Sequence, residues 1–299
     1  MVTKLHILLT YNCSLRCKHC YVFSDQRAPG KISLSQVSRI LNDGIRIPSV
    51  RWIYFGGGEP FTQYTLLLKS VQRAIKLGYN VGVETNGYFA RTIEAGLRFL
   101  RPLAEMGIGD IRISNDILHY KNPDRSPASK AVDAAQKLGI PTTIVSIPSA
   151  DEQPGDKKPH EAGYSLDVPR LMFTGRAAKT MLAGKQSYPA NQFTECPRKD
   201  LKFPEKFFID AYGYVQVCPG IAIGNINEKS LDLIIADYNI DEHIIMSSLS
   251  DMGPLGLIQN TKLKFKEEYV DACHCCFSAR HVLIDKYPEF LGPHQVYGY

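Results

Sequence analysis

The sequence lacks any run of about 18 apolar residues, so it predicts no membrane-spanning helix and no membrane partner. Its start, Met1 to Asn12, holds one Lys and a short apolar patch. It lacks the long apolar region and small-residue cleavage site of a signal peptide, so a cytoplasmic location is expected. There is no low-complexity tract and no block of like charge. The 35 Lys and Arg against 30 Asp and Glu leave a net charge of +5, scattered along the chain. Nucleic acid is therefore not expected as a partner. Eight cysteines in 299 residues are too few for a disulfide scaffold. None lies between Cys20 and Cys196. Cysteines gathered in two groups in an unexported chain read as metal ligands. The length allows about two domains, or one large α/β domain with an appendage, and is enough to bury a core without cross-links.

Six short apolar segments recur, at 4–9, 52–55, 80–84, 110–114, 142–147 and 170–173. Amphipathic stretches separate most of them. Leu34, Val37, Ile40, Leu41 and Ile45 keep helical spacing, and Ser33 with Gln36 predicts a capping box. Leu67, Val71, Ala74 and Ile75 line a second helix that Gly78 would stop, and 131–138 supports a third. Repeated strand–helix units predict parallel strands, as an incomplete (β/α) barrel or an open wound sheet. In either case the chemistry gathers at the C-terminal ends of the strands. Residues 149–169 are polar and rich in Pro, Gly and charge, and read as a loop or lid. After about residue 176 the pattern loosens. Alternation over 206–217 around Tyr212-Gly213 predicts a β-hairpin in a small, irregular second part.

The first strand runs into Cys13-Ser14-Leu15-Arg16-Cys17-Lys18-His19-Cys20. Three thiolates on one loop can hold three irons of a [4Fe–4S] cluster and leave the fourth open. A zinc site is the alternative, although His19 sits awkwardly between two of the cysteines for coordination. The second strand ends in Gly56-Gly57-Gly58-Glu59-Pro60. A glycine run there admits close backbone approach, and Glu59 offers acceptors for an ammonium.

Together the two segments resemble the radical S-adenosylmethionine (SAM) superfamily, whose signature is C-x3-C-x-aromatic-C after the first strand and GGEP after the second. His19 stands at the aromatic position. The resemblance implies that Cys13, Cys17 and Cys20 hold the cluster and that SAM chelates its open iron. It implies that Gly57, Gly58 and Glu59 bind the SAM amine, with the His19 backbone beside the adenine. It also brings Asn86 of Glu84-Thr85-Asn86-Gly87 near the site. Ser114 and Asp116 after the fourth strand would contact ribose or carboxylate. Arg176 of Gly175-Arg176-Ala177 would face SAM.

Cys196 and Cys218 are spaced as C-x16-G-x4-C across the predicted hairpin, and Cys273-His274-Cys275-Cys276 follows. This resembles a twitch or reduced SPASM module. The likeness implies one auxiliary [4Fe–4S] cluster on Cys196, Cys218, Cys273 and Cys276, with the choice between Cys275 and Cys276 open. Five cysteines are too few for two more fully ligated clusters. The expected architecture is thus a partial (β/α)6 TIM-like barrel over residues 1–180, followed by a β-hairpin plus helical iron–sulfur module over 181–299.

The family chemistry implied is reductive cleavage of SAM to a 5′-deoxyadenosyl radical, followed by hydrogen-atom abstraction from substrate. The auxiliary cluster would then take an electron, making the net reaction an oxidation. An external reductant of the flavodoxin or ferredoxin type is implied. Oxidative modification of a peptide or protein side chain is the first reading, because the Gly-Arg-Ala and Gly224-Asn225-Ile226 segments look most like peptide maturases. The early first strand weighs against a preceding peptide-recognition domain. A small-molecule dehydrogenase or cyclase, and a non-catalytic iron–sulfur or zinc protein, are the alternatives.

Overall fold

Leu5 and Ile7 alternate with His6 along β1 (Lys4–Leu8), and the same two-residue period marks the strands that pair beside it. The computed structural model describes residues 1–148, 158–160, 164–167, 169–197, 201–261 and 266–299. It divides into two compact units. One holds Lys4–Cys17 and Ser24–Leu171, and the other Met1–Thr3, Lys18–Phe23 and Met172–Tyr299.

The first unit runs β1, α1 (Leu34–Ile45), β2 (Trp52–Gly56), α2 (Tyr64–Lys76), β3 (Asn80–Thr85), α3 (Ile93–Met106), β4 (Asp110–Ser114), α4 (Pro127–Lys137) and β5 (Thr142–Val145). It ends with β6 (Lys158–His160) and β7 (Tyr164–Asp167). The strand order is β1-β2-β3-β4-β5-β7-β6. All pairs are parallel except β6 with β7. Six parallel strands, alternating through β5 with four helices, make the α/β partial barrel that the sequence predicts.

The helices begin where their caps direct. The Ser33 side chain accepts from the Gln36 amide while the Gln36 side chain accepts from the Ser33 amide, closing the capping box. Gly78 leaves α2 in the left-handed region that favours glycine, at φ +86°. Fully buried Ile53, Phe55, Val83, Ile111 and Ile113 form one face of the sheet. Leu5 lies on that face too, since a Cβ on Gly44 of α1 would meet its side chain at 3.3 Å.

One strand lies elsewhere than expected. Segment 170–173 is irregular, and the sixth parallel strand is β7. Apolarity drew the reading to Leu171 and Phe173, which are buried without pairing. The residues that pair are polar because they belong to a polar sheet face. The loop read over 149–169 falls partly outside the described residues. Its described parts are β6, β7 and Pro169.

The second unit contains α5 (Ala177–Thr180), β8 (Tyr188–Pro189), β9 (Lys206–Ile209), β10 (Tyr214–Cys218), β11 (Ile221–Asn225), α6 (Leu231–Ala236), α7 (Ile244–Thr261), β12 (Glu268–Tyr269) and α8 (Ala272–Leu283). The expected hairpin is β9–β10, turning at Gly213 with φ +91°. Strand β11 extends it through a second tight turn at Pro219-Gly220. Helix α7 is broken at Met252-Gly253, just before Pro254. The short pair β8–β12 is antiparallel. No helix among the described residues is long and apolar enough to cross a membrane.

Candidate functional site

The loop after β1 is held by the segment that precedes α1. Tyr11 N–H donates to Gly30 O (3.1 Å) and Cys13 N–H to Asp25 O (2.9 Å). The side chains of Asn12 and Gln26 exchange bonds with the opposite backbone at 2.7 Å. This fixes Cys13, which is buried. Its Sγ faces two donors, the Leu15 amide at 3.4 Å and Asn86 Nδ2 at 3.6 Å. N–H donors aimed at sulfur suit a thiolate, the form that binds iron. Cys17 is half-buried on the same loop.

The glycines of the second motif bring two backbones together. Gly57, at φ +143°, has no room for a Cβ, which would fall on the Thr10 carbonyl oxygen. A Cβ on Gly58 would lie 2.5 Å from Tyr11 O. The gap is closed by hydrogen bonds from Gly58 N–H to Thr10 O (2.7 Å) and from Glu59 N–H to Asn12 O (2.9 Å). Glycines are thus needed where the second motif meets the residues preceding Cys13.

Glu59 already has partners within the fold. It is 0% exposed. One carboxylate oxygen accepts from Phe61 N–H (3.1 Å) and Thr85 Oγ1 (2.8 Å), the other from Asn86 N–H (2.8 Å). Burial pushes its pKa up to about 7, against the pull of these three donors. The side chain binds the end of β2 to the end of β3. Stacking of Phe61 on Phe89, with centroids 4.1 Å apart, seals the same junction.

Asn86 links that junction to the cysteine loop. Besides Cys13, its Nδ2 reaches Ser14 Oγ at 3.1 Å. Its carbonyl accepts from the Tyr120 hydroxyl (2.8 Å). Burial, then Glu59, Cys17 and Cys13, raise the Tyr120 pKa well above the ordinary phenol value. Tyr120 is thus a neighbour of the site. Ser114 ends β4 half-buried. Asp116 is buried and committed to its own chain. It accepts from the amides of Leu118 (2.8 Å), His119 (3.0 Å) and Ile147 (3.0 Å) and bonds the His119 ring (2.9 Å).

The face opposite the apolar one is polar. His6 sits opposite Tyr54 in register, and Glu84 opposite Arg112. Arg112 pairs with Glu84 at 3.3 Å and with Asp167, while Tyr54 donates to Asp110 at 3.1 Å. Gly82 leaves the space that the Tyr54 ring fills. Side-chain exposures of 36% for Glu84 and 20% for Asp167 keep this face open to solvent.

In the second unit, Arg176 N–H donates to Cys20 O at 2.8 Å. A Cβ on Gly175 would lie 2.5 Å from Tyr21 Cα. The Gly-Arg-Ala segment therefore packs on the backbone of 20–21, with the Arg176 guanidinium over the Phe23 ring at 5.6 Å. His19 and Arg176 are both buried.

Four cysteines of this unit are electrostatic neighbours. Burial pushes the Cys273 thiol up strongly, and Asp271, Cys218, Cys276 and Cys196 add to the rise. Cys276 feels Cys218 in the same way, whereas Cys275 feels only Cys276 and Asp271. The local folding explains the grouping. A Cβ on Gly253 would lie 2.5 Å from Glu195 N, so the α7 break seats the segment just before Cys196. Cys218 ends β10 at the Pro219-Gly220 turn. Cys273 and Cys276 are three apart on α8 and share a face, which Cys275 does not. Cys275 is fully buried, and burial pushes its pKa up to about 12. His274 bonds back to the Val270 amide through Nδ1 (3.1 Å), and burial lowers its pKa to about 4. Among the described residues, no three His, Cys, Asp or Glu side chains are placed to hold a metal ion. The four thiols are near one another without converging on a point.

Residues 7–154 match the model of the Radical SAM superfamily. Over 115 residues the chain is 31% identical to the tungsten-containing aldehyde ferredoxin oxidoreductase cofactor-modifying protein of Pyrococcus furiosus, covering 38% of this chain and 31% of that one. Over 163 residues it is 28% identical to the GTP 3′,8-cyclase of Brucella ovis, covering 50% and 45%. The matches thus span less than half the length of these curated relatives. Among solved structures, BtrN in complex with AdoMet and 2-DOIA aligns with a TM-score of 0.55 at 16% identity, over 87% of this chain and 90% of that one. At that identity the likeness is one of fold.

Proposed function

Given that the chain belongs to the Radical SAM superfamily, we propose that it oxidises its substrate through two iron–sulfur clusters. Cys13, Cys17 and Cys20 hold a [4Fe–4S] cluster whose open iron binds SAM. Cys196, Cys218, Cys273 and Cys276 hold a second. When bound, the first cluster and SAM supply one-electron cleavage of SAM to the 5′-deoxyadenosyl radical, which takes a hydrogen atom from substrate. The chain's own residues keep that site in place. Asn86 and the Leu15 amide donate to Cys13, and Gly57 and Gly58 bring the second strand's loop against the cysteine loop. Glu59 locks that loop from beneath through Asn86 and Thr85. This assigns Glu59 to positioning and leaves recognition of the SAM amine to the backbone around Gly57 and Gly58. His19, Ser114 and Arg176 complete the proposed SAM contacts. Asp116 shapes the loop between β4 and β5.

The oxidative reading is carried by one observation: Cys196, Cys218 and Cys276 all lie close enough to Cys273 to raise its pKa. A cluster ligated entirely by protein binds no SAM and is suited to exchange electrons with a substrate radical. The first substrate reading is a peptide or protein side chain, on the Gly-Arg-Ala and Gly-Asn-Ile segments. The polar sheet face with His6, Tyr54, Glu84, Arg112 and Asp167 favours the second reading, a small polar molecule.

The test is an anaerobic iron and sulfide count with product analysis. About eight irons per chain and 5′-deoxyadenosine after dithionite treatment are expected. A colourless zinc-loaded chain that leaves SAM intact would reject the reading. A small peptide encoded beside this chain, and modified by it, would select the first substrate class.

A further inference from the structure

Arg280 is a guanidinium in the wrong place for an ordinary surface cation. It lies on α8, seven residues after Cys273 and four after Cys276, and is 2% exposed. Its Nη1 donates to Pro219 O at 2.9 Å and contacts the Tyr297 hydroxyl at 3.2 Å. The guanidinium also lies close enough to Cys276 to act on its charge. Its Nε is buried with no hydrogen-bond partner. Among the described residues no carboxylate pairs with it, and Tyr297, Cys276 and Cys218 are its neighbours. A buried cation without an anion is strongly destabilising, and so is a buried N–H without an acceptor. Both deficits occur where four cysteines gather.

The surroundings fix this arrangement. The Tyr297 hydroxyl donates to Gly220 O at 2.6 Å, so Arg280 and Tyr297 together clamp the turn that follows Cys218. Gly220, at φ +85°, has no room for a Cβ, which would lie 2.8 Å from the Tyr297 hydroxyl and 3.0 Å from Nη1. The guanidinium is therefore held beside two of the four thiols, Cys276 and Cys218.

We propose that Arg280 is the counter-charge of the second cluster and raises its reduction potential. The assignment rests on the two-cluster reading above. Four thiolates around a cluster make the site anionic, and reduction adds one more negative unit. A buried positive charge alongside favours the reduced form, making the cluster a better electron acceptor. With a cluster on these four thiols, a substrate radical would lose one electron to it and release a proton, and an external one-electron carrier of the flavodoxin or ferredoxin type would take that electron and restore the oxidised form. The Nε–H is the donor left for an acceptor that the polypeptide does not supply.

The test is an EPR-monitored redox titration of the anaerobically reconstituted full chain, with an iron count on every sample. Arg280→Gln is expected to keep eight irons while the second cluster's midpoint falls by at least about 59 mV, a tenfold one-electron change. Arg280→Lys keeps the charge and is expected to recover most of that fall. Tyr297→Phe weakens the clamp, keeps the charge, and is expected to stay near the wild-type potential. An eight-iron Arg280→Gln chain at the wild-type potential overturns the Arg280 assignment and leaves the two clusters standing. A four-iron wild-type chain overturns the cluster reading and the assignment with it. If Arg280→Gln fails to load, Arg280→Lys decides: a loaded chain near the wild-type potential supports the counter-charge, and one shifted tenfold overturns it.

Discussion

The Asn86 amide donates to a Glu59 carboxylate oxygen at 2.8 Å, and the Asn86 side chain donates to Cys13 Sγ at 3.6 Å. Two loop ends and the first cysteine are thereby joined through one residue. Glu59→Ala removes three accepted hydrogen bonds and leaves two buried amides and a hydroxyl without their partner. A loss of about 3 kcal/mol is expected. Thermal unfolding of the loaded chain measures it. Asn86→Ala is expected to leave stability closer to wild type and to hasten iron loss from the first cluster, read as bleaching during anaerobic chelator challenge.

Glu59 also sets a pH dependence. Its folded pKa of about 7 lies above its ordinary value of 4.5, so the folded chain holds the extra proton between those values. Its stabilising effect is full below pH 4.5 and is lost as pH rises through 7. The span corresponds to roughly 3 kcal/mol as an upper bound. The stability difference between wild type and Glu59→Gln, followed from pH 5 to 8, is expected to move against the wild type with rising pH. A difference flat across that range would contradict the buried carboxylate.

Two glycines give opposite expectations. Gly58→Ala drives a Cβ into the Tyr11 and Asn12 carbonyls, so the second strand's loop must retreat from the cysteine loop. A loss of at least about 100-fold in 5′-deoxyadenosine formation is expected, the scale of an ångström-level misplacement. Gly78→Ala meets nothing within 4 Å and carries only the strain of φ +86°. It is expected to lower stability by about 1 kcal/mol and leave SAM cleavage unchanged.

Most of the first unit is legible from its sequence because one period governs each element. Strands β1 to β5 and the cap of α1 follow directly from apolar alternation and helical spacing. Strand β7 escapes that rule because its Asp167 turns toward Arg112, and polar residues on an open sheet face look like loop. For Glu59 the motif marks the residue, and the fold adds that its carboxylate accepts from Phe61, Thr85 and Asn86. In the second unit, helix α8 was the missing premise. Once 272–283 is helical, the spacing of Cys273, Cys276 and Arg280 selects one face and separates Cys275 from it.

That spacing makes a direct prediction about the ligands. Cys276→Ala is expected to lower the iron count from about eight to about four, while Cys275→Ala keeps eight. The same samples should retain SAM cleavage, because the first cluster is untouched. Loss of iron from the Cys275→Ala chain in place of Cys276→Ala would reverse the assignment.

The short β8–β12 pair brings Tyr188 opposite Tyr269, and Ser187 hydrogen-bonds Glu268 across 81 residues of chain. It closes a long loop at its neck, drawing the approach to Cys196 toward the approach to Cys273 without any help from iron. Much of the ordering cost of the distal cysteines is therefore met by polypeptide alone. Cluster assembly would then only have to draw in thiols that the folded chain already holds near one another, and maturation would become a late, local event.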